Sequence, residues 1–571
     1  MKFDDVLREI GEFGLYQKRL MFLFCVTSCC VITQSVSPVF TIKIPKHRCK
    51  IPTYPNDTYE LQSADHASLV NETIPLRNGE YTKCTLYDVM ESDGTENRTE
   101  RACNEWVFDK SVFTATLVTE LNLVCERKIY RSHSSMMLFA GKFVGAFLNS
   151  MGGDYFGRRR VYTFMMLALI ASSIGIIFVS NLPALMAFRF MAGAFTTGSY
   201  LGIFVITTEL LGTRYRRYAS IASKSAITVS MLTLTLLAYL LRNWQHFQAS
   251  LTTPTIFLFI GYFFIPESPR WLVSKGRYEE AQKVLELVAR VNGKSLPPSF
   301  QIEALASIDS ASAASGAEGK QSVSPLSLFR IPRLFLRYTL LYFCWTLIVM
   351  TLYGLLLNVS NMSGNIFLNF GIMSTLDVVS ITLFALLIER VGRRSFVIGA
   401  VGVGGLACLA TILPAVLGGN DWVTQGLSLS GRMFVSATMA AMYTMSPELF
   451  PTVLRSFGLG SCSMMSRIGG IASPYIADLN TYVMGTFGAV LPQMVFGAAG
   501  LLTAIMMFFL PETRGRPLPE TVRDAELFGR GNRLMHKANR PQPADVVEMT
   551  LLHPKASDNP KLKQSALVGC I

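Results

Sequence analysis

Charge is what this chain has least of. Only 16% of its 571 residues are Asp, Glu, Lys or Arg, against about 25% in soluble globular domains. That shortage excludes a soluble enzyme, and it excludes a disordered chain, which needs charge to stay solvated. Histidine and tryptophan are also scarce, at six and five residues. The histidines are scattered, so no metal-binding or hydrolase constellation can be assembled and no catalytic residue is assigned. Gly293-Lys294-Ser295 lacks the upstream glycine of a phosphate loop. Gly402-Val-Gly-Gly-Leu-Ala407 lies in an apolar run with no strand before it, which suits helix packing better than a dinucleotide. No cofactor is implied. The opening Met1–Gln17 is amphipathic and the first apolar run is long enough to span, so it reads as mature chain and not as a cleaved leader.

What the chain has instead is apolar length. Half of it is hydrophobic and the mean hydropathy is +0.36. Charge gathers in residues 43–131, 267–337 and 511–571, separated by runs such as Met21–Phe40, Val161–Ser180, Ile221–Leu241 and Phe396–Leu417. Each is near the ~20 residues that a helix needs to cross hydrocarbon. The pattern predicts an all-α membrane protein with spans at 20–41, 133–153, 161–180, 183–207, 219–241 and 250–265, then 336–357, 366–388, 395–417, 425–447, 456–477 and 485–510.

The net charge of +13 follows topology and gives no reason to expect nucleic acid as a partner. Short breaks hold Arg158-Arg159-Arg160, Arg214, Arg216, Arg217, Arg390, Arg393, Arg394 and Arg455. Basic short loops mark the cytoplasmic side, which predicts that both termini are cytoplasmic. In 43–131 acidic residues slightly outnumber basic ones, and three N-glycosylation sequons begin at Asn56, Asn71 and Asn97. Four of the eleven cysteines share that block: Cys49, Cys84, Cys103 and Cys125. Two extracellular disulfides are expected, with pairing open among three possibilities. The implied organisation is a cytoplasmic N-terminus (1–19) and a six-helix bundle (20–265) that contains an extracellular loop (42–132). A cytoplasmic linker (266–335), a second six-helix bundle (336–510) and a largely disordered tail (511–571) complete it. Within the linker, Arg277–Val291 has helical periodicity and Ser307–Ser324 a flexible composition.

The halves repeat. Asp154-Tyr-Phe-Gly-Arg-Arg159 matches Glu389-Arg-Val-Gly-Arg-Arg394, and Arg189 matches Arg432. Glu209 with Arg216 matches Glu448 with Arg455, and Pro266-Glu267-Ser-Pro-Arg270 matches Pro511-Glu512-Thr-Arg514. Six spans per copy place both copies the same way up, the arrangement of bundles that rock about a midplane site.

The acidic-x-x-Gly-Arg-Arg loops resemble the signature of the major facilitator superfamily. More specific markers resemble its organic cation, carnitine and organic anion transporter branch. They are Phe3-Asp4-Asp5-Val6 with Gly11-Glu12-Phe13-Gly14, Glu120-Leu-Asn-Leu-Val-Cys125, Pro266-Glu267-Ser-Pro-Arg-Trp271 with Gly276-Arg277, and Pro511-Glu512-Thr513 with Leu518-Pro-Glu-Thr521. This chain differs at Ser150, where the signature usually has Gly, and in having four loop cysteines where many relatives have six. The resemblance implies a plasma-membrane secondary transporter of small organic cations or zwitterions. It leaves the coupling ion and oligomeric state open, and organic anion exchange or a non-transporting receptor as alternatives. It assigns gating to Asp154, Arg158, Arg159, Glu209, Arg216, Glu267, Arg270, Glu389, Arg393, Glu448, Arg455 and Glu512.

Ionisable groups that fall well inside predicted spans, where charge is costly and usually faces a cavity, include Lys142, Lys224, Asp377 and Arg467. By resemblance, Asp377 stands where cation-transporting relatives carry an acid. Arg467 stands where carnitine-type and anion-type relatives carry Arg, a fork suited to a carboxylate. Lys142 and Lys224 have no family counterpart and could meet a substrate carboxylate. Trp345, Tyr200 and Phe204 match family aromatics able to hold an ammonium by cation–π attraction, with Tyr353 at helical spacing from Trp345.

Overall fold

The computed structural model describes residues 3–77, 80–92, 95–212, 215–296, 330–483 and 486–528. The expected flexible stretch 307–324 and the tail beyond residue 528 lie outside them. Among the described residues twelve helices have fifteen residues or more. In the first half these are α1 (Leu15–Val36), α2 (Ile129–Phe156), α3 (Arg158–Ile177), α4 (Leu182–Leu210), α5 (Arg216–Leu240) and α6 (Trp244–Leu258). In the second they are α7 (Pro332–Asn358), α8 (Ile366–Val391), α9 (Arg393–Ala410), α10 (Asp421–Leu449), α11 (Arg455–Ala477) and α12 (Thr486–Met507). Eight helices meet a strict test of length and hydropathy for crossing a membrane. Of those that fall short, α2 carries Arg131, Lys142 and Asp154, and α11 carries Arg455 and Arg467 among small polar residues.

Local chemistry sets the ends. Asn181, Asn243, Asn365 and Asn420 each accept a backbone N–H of the first turn of α4, α6, α8 and α10, satisfying donors that helix starts leave unpaired. The cap at Asn243 starts α6 six residues before the apolar run that marks it in the sequence. Gly157 and Gly392 separate α2 from α3 and α8 from α9 at φ +102° and +101°. A Cβ there would sit 2.4 Å from Glu267 Oε2 and 2.8 Å from Glu512 Oε2. Backbone sign and space therefore both demand glycine in the repeated acidic-x-x-Gly-Arg-Arg loop.

Packing repeats with the sequence. Helix α2 lies on α4, α3 on α4 and α1 on α5; α8 lies on α10, α9 on α10 and α7 on α11. The two halves meet chiefly through α2 against α11 and α5 against α8. One buried cluster fills each half, around Phe24, Met166 and Ile206 in the first and Tyr338, Trp345 and Phe450 in the second. The first cluster extends into the helix Phe3–Glu9 and the linker helix Tyr278–Val291, whose Val6, Leu7, Leu285 and Val288 are fully buried. Asn292 clamps them: its side-chain amide donates to Ile10 O at 2.9 Å and its oxygen accepts Tyr16 N–H at 3.0 Å. A Cβ on Gly14 would lie 2.3 Å from Asn292, which explains the glycine that closes Gly11-Glu12-Phe13-Gly14.

The loop between α1 and α2 folds into a small domain with antiparallel pairs β1 (His47–Cys49) with β6 (Trp106–Phe108), β2 (Leu76–Arg77) with β3 (Glu80–Tyr81), and β4 (Thr85–Ser92) with β5 (Thr95–Ala102). Its disulfides join Cys49 to Cys103 and Cys84 to Cys125, selecting one of the three pairings that the sequence leaves open. Asn56 and Asn71 are exposed; Asn97 lies on β5, and its side chain is outside the described set. So small a domain needs staples, and it adds a buried ion cluster. Asp57, with no side-chain exposure, accepts two hydrogen bonds from Arg48 at 2.6 and 3.0 Å, one from Ile51 N–H at 2.8 Å and one from His66 Nε2 at 3.0 Å. Desolvation pushes its carboxyl up, but these donors outweigh it and hold the group below its usual range.

Asp57→Ala should cost about 3–5 kcal/mol, because it leaves the Arg48 cation buried without its partner. Surface expression and glycan maturation report the loss, and the sequon at Asn56 survives the change. The depressed pKa means that Asp57 contributes fully above its unfolded pKa, near 4. Its contribution should fade only as pH falls below that value, so unfolding of the loop domain should show no Asp57-dependent change from pH 5 to 8.

Candidate functional site

Ionisable groups occupy three levels along the bundle. At the end bearing the loop domain, charges cross between the halves. Arg131, at the start of α2, meets Asp478 just past α11 at 3.2 Å, and Ser132 donates to the same carboxylate at 2.6 Å. Arg131 also donates to Ser360 Oγ at 2.7 Å and Asn361 Oδ1 at 3.0 Å, beyond α7. Lys43 donates to Ser360 O, and Lys128 to Thr481 O. Arg131 and Asp478 are 4% and 7% exposed, so the pair works in a low dielectric where its attraction is strong. Burial, with Arg131 nearby, brings Lys43 down to about 8. None of these contacts is among the residues that the sequence motifs single out, because each pairs elements far apart in the chain.

At the opposite end, the ion pairs of the repeated loops stay within one half. Arg158 meets Asp154 at 2.9 Å and Glu209 at 3.6 Å; Arg393 meets Glu389 at 3.0 Å and Glu448 at 3.6 Å. Glu267 accepts the backbone N–H of Arg159 at the start of α3. Glu512 accepts those of Arg393, Arg394 and Ser395 at the start of α9, the place where a helix favours a carboxylate. Burial raises Glu512, yet these amides bring it below the usual carboxylate range. Arg270 lies in the short helix Pro269–Ser274, beside Trp271, whose indole N–H donates to Asp154 O at 3.0 Å. Arg455 begins α11; the side chain of Arg216 is outside the described set. Among the described residues, no ion pair at this end joins one half to the other.

Between these levels lies the cluster of in-span charges. Asp377 on α8 binds Arg432 on α10 at 2.8 Å, so it is a paired carboxylate in this state. Lys224 on α5 is within electrostatic reach of Asp377 and is exposed. Arg467 pairs with neither Asp377 nor Asp478, and its buried Nε has no partner. Lys142 is only 5% exposed, and no described carboxylate meets it. Its ammonium lies over the rings of Phe139 at 4.6 Å and Tyr353 at 5.2 Å. Those rings contact each other at 4.9 Å, beside a small cleft lined by Val39, Leu138 and Leu356.

The aromatic candidates divide. Tyr200 and Phe204 stack at 6.4 Å against Phe24 of α1, and the Tyr200 hydroxyl bonds Ser223 at 2.6 Å. Trp345 is fully buried, with its indole N–H on Ser446 Oγ at 2.8 Å. The ring that stands in front of it is Tyr443, edge-on at 4.8 Å and 43% exposed, within electrostatic reach of Arg467, Tyr353 and Tyr200. Tyr443, Phe139 and Arg432 thus lie against the candidate residues, and the motifs do not mark them. Arg432 alone left a trace, as the repeat partner of Arg189. Among the described residues no group of His, Cys, Asp or Glu could hold a metal ion.

Comparison with known proteins fits this architecture. Residues 85–524 match the family described as "Sugar (and other) transporter". The "Organic cation transporter protein" of Drosophila melanogaster is 30% identical over 560 residues, covering 96% of this chain and 97% of its own. "Organic cation/carnitine transporter 2" of Homo sapiens is 30% identical over 541 residues, covering 91% and 93%. The crystal structure of a D-xylose-proton symporter aligns with TM-score 0.59 at 14% identity, over 88% of this chain and 100% of that one, which establishes a shared fold. Twelve helices in two repeated halves, arginine-bearing glycine loops in both, and relatives matched over almost their whole length make this chain a membrane transporter of the major facilitator superfamily, in its organic cation and carnitine transporter family.

Proposed function

We propose that this protein is a plasma-membrane secondary transporter that moves small organic ions bearing a carboxylate by alternating access, with zwitterions of the carnitine or amino-acid type as the leading class. The observation that carries the reading is Arg467, a guanidinium within the bundle that pairs with neither Asp377 nor Asp478 and whose buried Nε has no partner. A fixed fork of donors in a low dielectric suits a carboxylate. Tyr200, Phe204, Tyr353 and Tyr443 offer faces for the ammonium end. Asp377 can assist only to the extent that Arg432 releases it. A carboxylate with no ammonium is the second reading, favoured because Lys142, Lys224 and Arg467 outnumber the acids described around them.

In this reading the loop domain and its sequons are extracellular and both termini are cytoplasmic. Among the described residues, ion pairs knit the halves together outside and lie within each half inside, which supports a carrier closed outward and open inward. The gate charges Asp154, Arg158, Arg159, Glu209, Arg216, Glu267, Arg270, Glu389, Arg393, Glu448, Arg455 and Glu512 would re-pair between halves when the carrier turns. A non-moving receptor would have no need of the set in both halves.

Uptake of labelled carnitine, its methyl ester and the Arg467→Gln variant tests the site. Carnitine should enter, the ester should enter at least about tenfold more slowly, and the variant should lose carnitine, consistent with ~1.5–3 kcal/mol for a charged hydrogen bond. Equal entry of the ester with an indifferent variant would make this a cation carrier led by Asp377. The outer latch has its own test. Asp478→Asn leaves Arg131 buried beside a neutral partner, so the outward-open population should rise. A membrane-impermeant thiol reagent added outside should then label Tyr353→Cys faster with Asp478→Asn than without it. Raising pH through about 8 neutralises Lys43, which relieves its buried charge and its repulsion with Arg131, and should slow the labelling with Asp478 intact relative to an exposed cysteine labelled at the same pH.

A further inference from the structure

We propose that the extracellular loop domain is a moving part of the outer gate. Its Phe113 seals the two halves together at the loop-bearing end, and the carrier opens outward only when that ring leaves Phe367 of α8. The proposal rests on the outward-closed reading above and adds a second closing device, separate from the Arg131–Asp478 latch.

After β6 the chain returns to the bundle through residues 109–116, and this strap is bonded to the turn between α5 and α6 of the first half. Thr114 N–H donates to Arg242 O at 3.1 Å, and Trp244 N–H donates to Ala115 O at 3.2 Å. The Arg242 guanidinium donates to Ser111 O at 3.1 Å. Backbone bonds in both directions make the strap travel with the first half. The ring of Phe113 crosses the boundary: it is buried and lies 5.5 Å from the ring of Phe367, in the first turn of α8. Two more first-half rings meet Phe367, Tyr239 of α5 edge-on at 5.5 Å and Phe40 of the short helix Pro38–Thr41 stacked at 6.0 Å. Phe40 also contacts Phe370, one turn along α8, at 5.0 Å. The second half presents Phe367 rigidly, because Asn365 caps α8 by accepting the N–H groups of Phe367 and Leu368 at 2.9 and 3.3 Å. Phe40, Phe113, Phe367 and Phe370 belong to one buried cluster that joins the halves, and among the described residues Phe113 is its sole member from the loop.

Latch and seal occupy the two lines along which the halves meet. Arg131 and Asp478 join α2 to the end of α11, whereas the rings join α5 and the strap to the start of α8. Opening outward draws α8 away from α5 and the strap, and it bares both faces of the seal to water. That cost rises with the apolar area uncovered, and paired rings add to it through their geometry. The strap is positioned by a domain that Cys49–Cys103 and Cys84–Cys125 hold in shape. The folded loop domain therefore bears on how readily the gate opens. A purely protective cover would need no ring buried between the halves.

The test uses the full-length protein in intact cells and reads the outside labelling that depends on Tyr353→Cys, counted on glycan-mature surface protein alone. Phe113→Ala and Phe367→Ala should each speed that labelling by roughly three- to tenfold, the order of one lost aromatic pair. The double variant should fall well short of the product of the two, because both changes remove the same contact. Phe113→Leu keeps an apolar side chain at the seal and should label at a rate between wild type and Phe113→Ala. If Phe113→Ala does not reach the surface, Phe113→Leu completes the same cycle with Phe367→Ala. Tyr54→Ala removes a ring stacked on His66 at 4.7 Å within the loop domain and should leave the rate unchanged. Unchanged labelling in the Phe113 and Phe367 variants, a fully multiplicative double variant, or an equal gain from Tyr54→Ala would overturn the proposal. Fast outside labelling with Phe113 and Phe367 intact would instead refute the outward-closed reading on which the seal rests.

Discussion

The cost of an unpaired charge in an apolar surrounding organises this molecule. Within the bundle every ionisable side chain must find a partner, reach a water-filled cavity or stay out. Sorting the in-span and latch charges by that rule separates scaffold from site. Arg131 with Asp478 and Arg432 with Asp377 are satisfied pairs; one joins the halves at the end bearing the loop domain and the other ties α8 to α10. Lys142, Lys224 and Arg467 have no described carboxylate bonded to them, and Arg189, which has none either, is satisfied in part by the Thr41 hydroxyl. The first three are the groups through which a charged substrate would be recognised.

The internal repeat gives the same sorting from another direction. Arg189 and Arg432 occupy matching positions on α4 and α10, yet Arg189 is buried against Thr41 Oγ1 at 3.0 Å while Arg432 holds a carboxylate. The loops obey the symmetry more closely. Gly157 and Gly392 share a positive φ, Glu267 and Glu512 each accept the first N–H groups of the helix after the glycine loop, and Arg158 and Arg393 each meet two acids at repeat-matched positions. Symmetry is strict where helices are joined and relaxed where the cavity lies. Such a division lets a duplicated scaffold move as two similar bodies around one asymmetric site.

Much of the scaffold was legible in the sequence because it depends on local signals. Apolar length located the spans, and arginine-bearing loops separated the two ends. The glycine loops gave the repeat, and the linker periodicity gave the helix at Tyr278–Val291. What failed to show depends on pairing across the chain. Cys49 with Cys103 and Cys84 with Cys125 could not be told from the other pairings, and the start of α6 at Trp244 was hidden by its polar first turn. Asp377 and Arg467 were visible as costly charges. Their environments were not, because Arg432 is 55 residues from Asp377 and Tyr443 sits in an ordinary apolar run. Trp345 shows the converse: its position drew notice, but burial and Ser446 place it behind Tyr443.

The central claim is that the cationic cavity recognises a carboxylate and that Asp377 is withheld by Arg432. Thermal stabilisation of the purified, full-length protein in detergent would test it most directly, with carnitine, its methyl ester and choline added separately. The account predicts a concentration-dependent rise in unfolding temperature with carnitine and little with the other two, since only carnitine offers a carboxylate. Equal stabilisation by choline, lost on Asp377→Asn and kept on Arg467→Gln, would contradict it.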